Sequence, residues 1–435
     1  MVRQTTKVII LETLGVVSLV LMAAIGILAF MLASGPVELG VFRDDVERAI
    51  TNARQGRPVT VERLTLQWSP SERRMFVVAD GLSLKDLDGT EAGYAETAEL
   101  TLDAGSILLG KVEVLETNLN DGWLKVQNTG PNAWSLAGEP LPEIRTETKP
   151  HTPEEVLDRT NAMMSDVLVG LEIFNSTFAL EVLEFNGLDI RVIDQDEQPI
   201  GTIAAASGQI ANLESDVSIQ FTGDGLGLGL PEVFSVSLDT FEGYQTLKTV
   251  LDVGVLPITD LVTRFGIEGF DESDLNLGTS FNAEVNRQEG LQRLGIVVAR
   301  QSGALDLEAF GIVLNDITAS VNYLPGNDQI ELDFLQIDSE RLAGRFQGNM
   351  TNVLAKNALR RVELRSDLLE PDLSGLFEAP WTISDAALVA DLSDDFTIIS
   401  VETLEAEIDG ARLQASGEFD WNVPHEEGEL PFTLD

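Results

Sequence analysis

The 435-residue chain contains no cysteine and only two histidines, three tyrosines and five tryptophans. Without a thiol there are no disulfides, thiolate metal sites or cysteine nucleophiles, and redox chemistry says nothing about compartment. His151 and His425 both lie in polar, Pro-flanked stretches. They leave almost no material for a Ser-His-Asp triad or a His-rich metal centre. Positive charge is also scarce: 28 basic residues stand against 72 acidic ones, a net charge of −44. Such a surface repels nucleic acid and anionic headgroups and reads as solvated and self-repelling. The acidic clusters Asp194-x-Asp196-Glu197 and Asp271-Glu272-x-Asp274 lack a calcium-loop pattern and read as solvated turns. GDGLGLGL at 223–230 has no helix after it, so its glycines read as a bulged strand rather than a phosphate loop. The expectation is a protein that is not an enzyme, with no catalytic residues, metal site or cofactor and no nucleic-acid partner.

Apolar residues make up 44% of the chain, enough for a core in two to four average domains. From Thr13 to Ala33 the chain carries no charge. At 1.5 Å per residue this run is about 31 Å long, the thickness of a bilayer's hydrocarbon core. It reads as a transmembrane helix, with Leu14, Val17, Leu21, Ile25 and Leu28 among its anchoring residues. Arg3 and Lys7 precede the run and Glu38 follows it, so the short tail is expected in the cytoplasm and the rest outside. A cleaved signal peptide is the competing reading; Met31-Leu32-Ala33 lacks the small residue three before a cut. Phe42, Val46, Ala49, Ile50 and Ala53 then recur at helical spacing, with Gly56 and Pro58 as the stop. That stripe is expected to plug the end of a sheet, or else to lie on a membrane surface.

Beyond Arg57 the period changes to two. Leu64, Leu66 and Trp68 alternate with polar residues, as do Tyr94, Ala98, Leu100 and Leu102, then Val112 and Val114. Val217, Ile219 and Phe221 repeat the pattern, followed by Ile317–Tyr323 and by Ile330, Leu332 and Phe334. Turn residues such as Asp121-Gly122, Pro325-Gly326-Asn327 and Asp409-Gly410 bound these runs. The chain is predominantly antiparallel β. One longer helix starts at Thr152-Pro153-Glu154-Glu155 and carries Val156, Thr160, Met163, Met164, Val167, Leu168 and Leu171 on one face. Shorter helices are expected at Pro257–Phe265 and Asp367–Phe377. VEVLETNLNDGWLKV at 112–126 echoes LEVLEFNGLDIRVI at 180–193, and 330–348 echoes 398–419, each unit reading as a hairpin that extends the sheet.

The anchor, the short helix and VTVERLTLQWSPSERRMFVVADGLSLKDLDGTEAGYAETAELTLDAGSILLGKVEVLETNLNDGWLKVQNTGPNAW together resemble the start of the AsmA-like envelope proteins of Gram-negative bacteria, especially the YhdP branch. The block at 171–225 resembles that branch's central region, and the likeness fades toward the C-terminus. The resemblance implies an inner-membrane, single-pass protein with its bulk in the periplasm. Its role would be phospholipid transport between inner and outer membranes, hence outer-membrane biogenesis. The fold expected is mainly β: an N-terminal transmembrane helix followed by an elongated, curved antiparallel β-groove with a few short amphipathic helices. Its blocks would be 1–35 (tail and anchor), 36–137 (helix and β block), 138–153 (linker), 154–350 (central groove) and 351–435 (a further, incomplete β repeat). Candidate groove residues are Leu64, Leu66, Trp68, Leu100, Leu102, Val112, Val114, Leu183 and Phe185. Periodicity alone equally fits a closed β-sandwich. A second function fits as well: an envelope scaffold or assembly factor that binds other proteins through its β surface. The terminal PFTLD reads as an open edge, so an outer-membrane or periplasmic partner, or further chain, is expected to continue the groove.

A reporter fused after Arg57 is expected to be active only when that end is exported, with the protein held in the inner-membrane fraction. Recovery of a soluble species shortened by about thirty residues would instead identify a cleaved signal peptide.

Overall fold

The computed structural model describes residues 35–69, 74–102, 114–130, 133–141, 153–177, 181–213, 215–225, 233–259, 274–307, 312–339, 342–355, 358–371, 382–393, 398–408, 410–420 and 432–434. The proposed anchor, with Leu14, Val17, Leu21, Ile25 and Leu28, lies outside them, as do Val112 and both histidines. No helix among the described residues is long and apolar enough to cross a membrane. The described chain is mainly β, with few helices. It divides into two compact units, 1–143 with 177–212, and 144–176 with 213–435. This differs from the sequence blocks on two counts. Residues 182–212 belong with the first unit, and 351–435 continue the second unit's sheet without a break.

The first unit opens with β1 (Val37–Glu38), a 3-10 turn and α1 (Arg43–Ala53). Its strands continue with β2 (Val59–Thr60), β3 (Arg63–Ser69), β4 (Arg74–Lys85), β5 (Glu91–Leu102) and β6 (Val114–Gly130). After them come the small β7 (Ala133–Leu136) and β8 (Glu139–Pro140), then β9 (Val182–Ile193) and β10 (Pro199–Leu213). Strands β3, β4, β5 and β6 pair antiparallel in succession, β6 pairs in parallel with β9, and β9 pairs antiparallel with β10. The helix ends in a Schellman-type cap: Gln55 takes a left-handed φ of 55°, and the Gly56 amide donates to the Thr51 carbonyl at 2.8 Å. As the stripe predicted, Val46 and Ile50 pack onto the core beneath, formed by Val59, Val61, Leu64, Val77, Ala79, Leu82, Ala95 and Ala98. Phe42, by contrast, is exposed, because a 3-10 turn precedes α1 and rotates it off the stripe. Glu47 accepts the Val61 amide at 2.8 Å, and Arg57 donates to Glu139 at 3.0 Å. Arg54 reaches the Ala137 carbonyl, and burial pulls its pKa below the ordinary value against the opposing pull of Glu139.

Asp121-Gly122 is not a turn. Strand β6 runs through it, and the resembling segments 112–126 and 180–193 are not hairpins but the parallel neighbours β6 and β9. Both change face midway. Apolar residues occupy Leu183 and Phe185, then Leu188, Ile190 and Val192, so a three-residue step interrupts the period of two. Adjacent strands make the same step at the same level. In β4 the sequence of inward residues is Val77, Ala79, then Leu82 and Leu84; β5 passes from Ala98 to Ala95; β6 passes from Leu119 to Gly122 and Leu124. Left-handed backbone absorbs the extra residue at Gly81 (φ 65°), Asp121 (50°), Gly187 (68°) and Ala205 (49°). A Cβ on Gly122 would collide with the Tyr94 carbonyl oxygen.

The second unit holds α2 (Pro153–Thr177) and a run of antiparallel strands. These are β11 (Asp216–Asp224), β12 (Phe234–Phe241), β13 (Thr246–Pro257), β14 (Asn276–Asn286), β15 (Gly290–Ser302), β16 (Leu305–Leu307) and β17 (Ile312–Leu324). They continue as β18 (Gln329–Ser339), β19 (Leu342–Thr351), β20 (Arg360–Pro371), β21 (Ile383–Leu392), β22 (Ile398–Ile408), β23 (Ala411–Asp420) and β24 (Phe432–Leu434). Each pairs with the next, the short β16 lying beside β17, which also pairs with β15. The resembling segments 330–348 and 398–419 are hairpins, as expected. The helix expected over Asp367–Phe377 is strand up to Pro371, because Leu368 and Leu369 pair with Ser384 and Ile383. At the other candidate, helical geometry begins at Ile258, and the segment after Thr259 lies outside the described residues. Three-residue steps recur here: Leu332 to Leu335, Ser366 to Leu369, Ile383 to Ala386 and Val401 to Leu404. Phe334 therefore falls on the polar side and Leu335 takes the inward place expected for it. Asp333, Asp367, Asp385 and Glu402 sit exposed at the four steps.

Gly122→Ala is expected to cost about 1–3 kcal/mol and to lower the urea midpoint. Gly40→Ala, with ordinary φ and open space around the added Cβ, should leave the midpoint nearly unchanged. Equal midpoints would show that the aligned step does not constrain the sheet.

Candidate functional site

Residues paired across strands share a face of the sheet, which makes each face traceable row by row. In the first unit one row runs Leu66, Val77, Leu100, Thr117, Leu183, Ile210. Its neighbour runs Leu64, Ala79, Ala98, Leu119, Phe185, Gly208. Trp68 pairs with Met75 on the same face, and Leu102 pairs with Val114. The eight described candidates therefore lie on, or in register with, one continuous apolar face.

Their surroundings differ. Leu64 is 2% exposed, and Leu66 and Leu100 pack against the same α1-covered core. These three are core residues at the β3–β5 end, where a helix already occupies the face. Leu183 and Phe185, farther along, are half-buried, and Trp68 is 39% exposed at the edge. Sequence reasoning missed Leu188, Ile190 and Ile203, which continue the face past the step; their signal was the change from i+2 to i+3 spacing.

The second unit repeats this arrangement. Its apolar face carries Phe221, Val236, Leu251, Phe281, Ile296, Val321 and Leu332 in one row. Toward the β11–β14 end the face is closed: Val217, Leu247 and Val285 are 0–1% exposed. Met164 of α2 meets Thr249 of β13 at 3.9 Å, and Leu168 and Leu171 are buried. Val156 and Met163, expected on that inward stripe, are exposed. From β17 to β22 the same face is half-exposed at Ile330, Leu332, Leu335, Ile337, Phe346, Leu364 and Leu388.

The opposite faces are polar and hydrogen-bonded internally. Asn186 donates to Asn118 at 3.3 Å, and the Arg191 guanidinium lies 4.3 Å over the Trp123 ring. Asn322, 1% exposed, accepts from Arg293 at 2.7 Å and donates at 2.7 Å to Asp333, which also accepts from Ser320 at 2.8 Å. Gly295 is required beside them, since a Cβ there would strike the amide groups of Asn282 and Asn322. Asp194 caps its own turn, accepting the Asp196 and Gln198 amides at 2.9 and 2.7 Å. Asp274 likewise accepts the Ala304 amide at 2.8 Å; Asp271 and Glu272 lie outside the described residues. Among the described residues no group of three or more potential ligands could hold a metal ion. Among the described residues the rows of each unit form a long aliphatic surface.

Searches against protein-family models, the curated proteins and the solved structures each return no match.

Leu247→Asp places an unpaired carboxylate in a closed site and is expected to cost on the order of 3–5 kcal/mol, abolishing the cooperative melt. Leu335→Asp, on the half-exposed stretch, is expected to cost about 1 kcal/mol and to keep it. Circular dichroism melts compare the two directly, and equal damage at both would mean that the β17–β22 face is as closed as the α2-covered end.

Proposed function

We propose that this protein carries the acyl chains of phospholipid along the apolar faces of its β units, as resemblance to the AsmA-like proteins implies. In this reading the uncharged run at 13–33 is a transmembrane helix that holds the chain at the inner membrane of a Gram-negative envelope. The β units then form a curved groove in the periplasm and serve delivery toward the outer membrane. One observation carries the reading: apolar rows that begin on helix-covered strands run on to large residues left half-exposed, such as Leu183, Phe185, Leu332 and Leu335. Aliphatic surface left in water costs roughly 25 cal/mol per Å². Acyl chains can cover such a face without needing hydrogen bonds from it. The polar faces and the acidic steps keep the outside solvated, and the net charge of −44 keeps nucleic acid away.

Mass spectrometry of lipids co-purifying with the segment after Gly35 tests the proposal. Phospholipid is expected with the unaltered segment and reduced several-fold in a Phe185→Asp, Leu335→Asp variant that still melts cooperatively. Absence of lipid, together with photocrosslinking of an outer-membrane protein from Leu183 or Leu335, would replace lipid carriage with the scaffold reading.

A further inference from the structure

We infer that the exposed turn Gly40–Phe42 is a membrane-interface wedge: Val41 and Phe42 enter the headgroup region of the bilayer and seat the first unit on it. The inference rests on the reading of 13–33 as a transmembrane helix and adds a second contact with the same membrane. Among the described residues no large apolar side chain is more exposed than Val41, at 89%, and no aromatic one more than Phe42, at 56%. The pair stands on a fixed base. Leu39 and Val46, on either side of it, both pack onto the first unit's core, while every residue from Gly40 to Asp45 is exposed. The Leu39 amide donates to the Leu64 carbonyl of β3 at 2.8 Å, and the Phe42 amide donates to the Leu39 carbonyl at 2.9 Å. Two adjacent apolar side chains are thus held out into solvent by a fastened turn, and the core makes no use of them.

Position and charge point to the bilayer as the occupant. Leu39 follows Ala33, the end of the uncharged run, by six residues. At about 3.4 Å per residue the base of the turn therefore lies no more than about 20 Å from the end of that run. A net charge of −44 keeps most of the chain's surface away from anionic headgroups. Residues 35–69 depart from that average and carry no net charge, with five arginines against five carboxylates. Beside the apolar pair these charges are matched: Arg48 lies 2.9 Å from Asp45, and Arg43 lies 3.8 Å from Asp44 and 4.0 Å from Glu47. A neutral rim around one aliphatic and one aromatic side chain suits the interface, where the apolar pair reaches the acyl boundary and the ion pairs stay among the headgroups. Helix α1 then works on two sides, with Val46 and Ile50 turned to the sheet and the turn before it to the membrane.

The chain has no native cysteine, so a single label reports on a single position. Val41→Cys carrying a nitrobenzoxadiazole label is reconstituted as the full chain in phosphatidylcholine vesicles that contain doxyl-labelled phosphatidylcholine. Leu87→Cys, at an exposed apolar position between β4 and β5, is the control. Doxyl lipid is expected to quench the Val41 label at least three-fold more than the Leu87 label. Adding Phe42→Ser to the labelled Val41→Cys chain is expected to reduce that quenching at least two-fold and to leave the thermal melt unchanged. Equal quenching at the two positions, quenching that Phe42→Ser does not reduce, or a lowered melt in that variant overturns the wedge. A Val41 label that is blue-shifted yet unquenched shows that protein covers the pair, a second copy or another partner, and overturns it too. In each of these cases a chain that floats with the vesicles leaves the transmembrane reading standing; a chain that does not float overturns both.

Discussion

A strand that gains one residue turns its side chains over, so a many-stranded sheet keeps a single apolar face only if the extra residue is bulged out of the pairing or the neighbours gain one at the same level. The first unit meets this condition across β4, β5, β6 and β9, where the change of face falls on one line and pair registers on either side stay intact. Glycine, or a short residue in left-handed backbone, stands where the line crosses β4, β6, β9 and β10. In the second unit the steps in β18, β20, β21 and β22 each carry an exposed acidic residue. Charge at those points costs nothing in the core. It also disfavours association through that side, which suits a sheet whose other side is greasy.

One apolar face per sheet leaves the question of what covers it. Helix α1 answers for β3–β5, held by Glu47 to the Val61 amide and by Arg57 to Glu139. Helix α2 answers for part of the second unit. Both cover a limited group of strands, and beyond them half-exposed residues such as Phe185 and Leu335 stand beside closed ones such as Leu188 and Ala390. A closed sandwich would show a second sheet's side chains interleaved with these rows and uniform burial along them.

The class of fold, the α1 stripe at Val46 and Ile50, and the sharing of one face by Leu64, Leu66, Leu100, Leu183 and Phe185 were all legible in the sequence, because period-two alternation is a local property of a strand. Local signals misled where a step interrupted the period. Asp121-Gly122 looked like a hairpin turn, Phe334 like an inward residue and Asp367–Leu369 like helix, since aspartate and glycine serve turns and face changes alike. Which stretch of the apolar face is closed and which is half-exposed could not be read at all. Leu64 and Leu183 alternate identically in sequence, yet one lies under α1 and the other does not. That distinction depends on where a helix comes to rest on the sheet, and only the tertiary structure decides it.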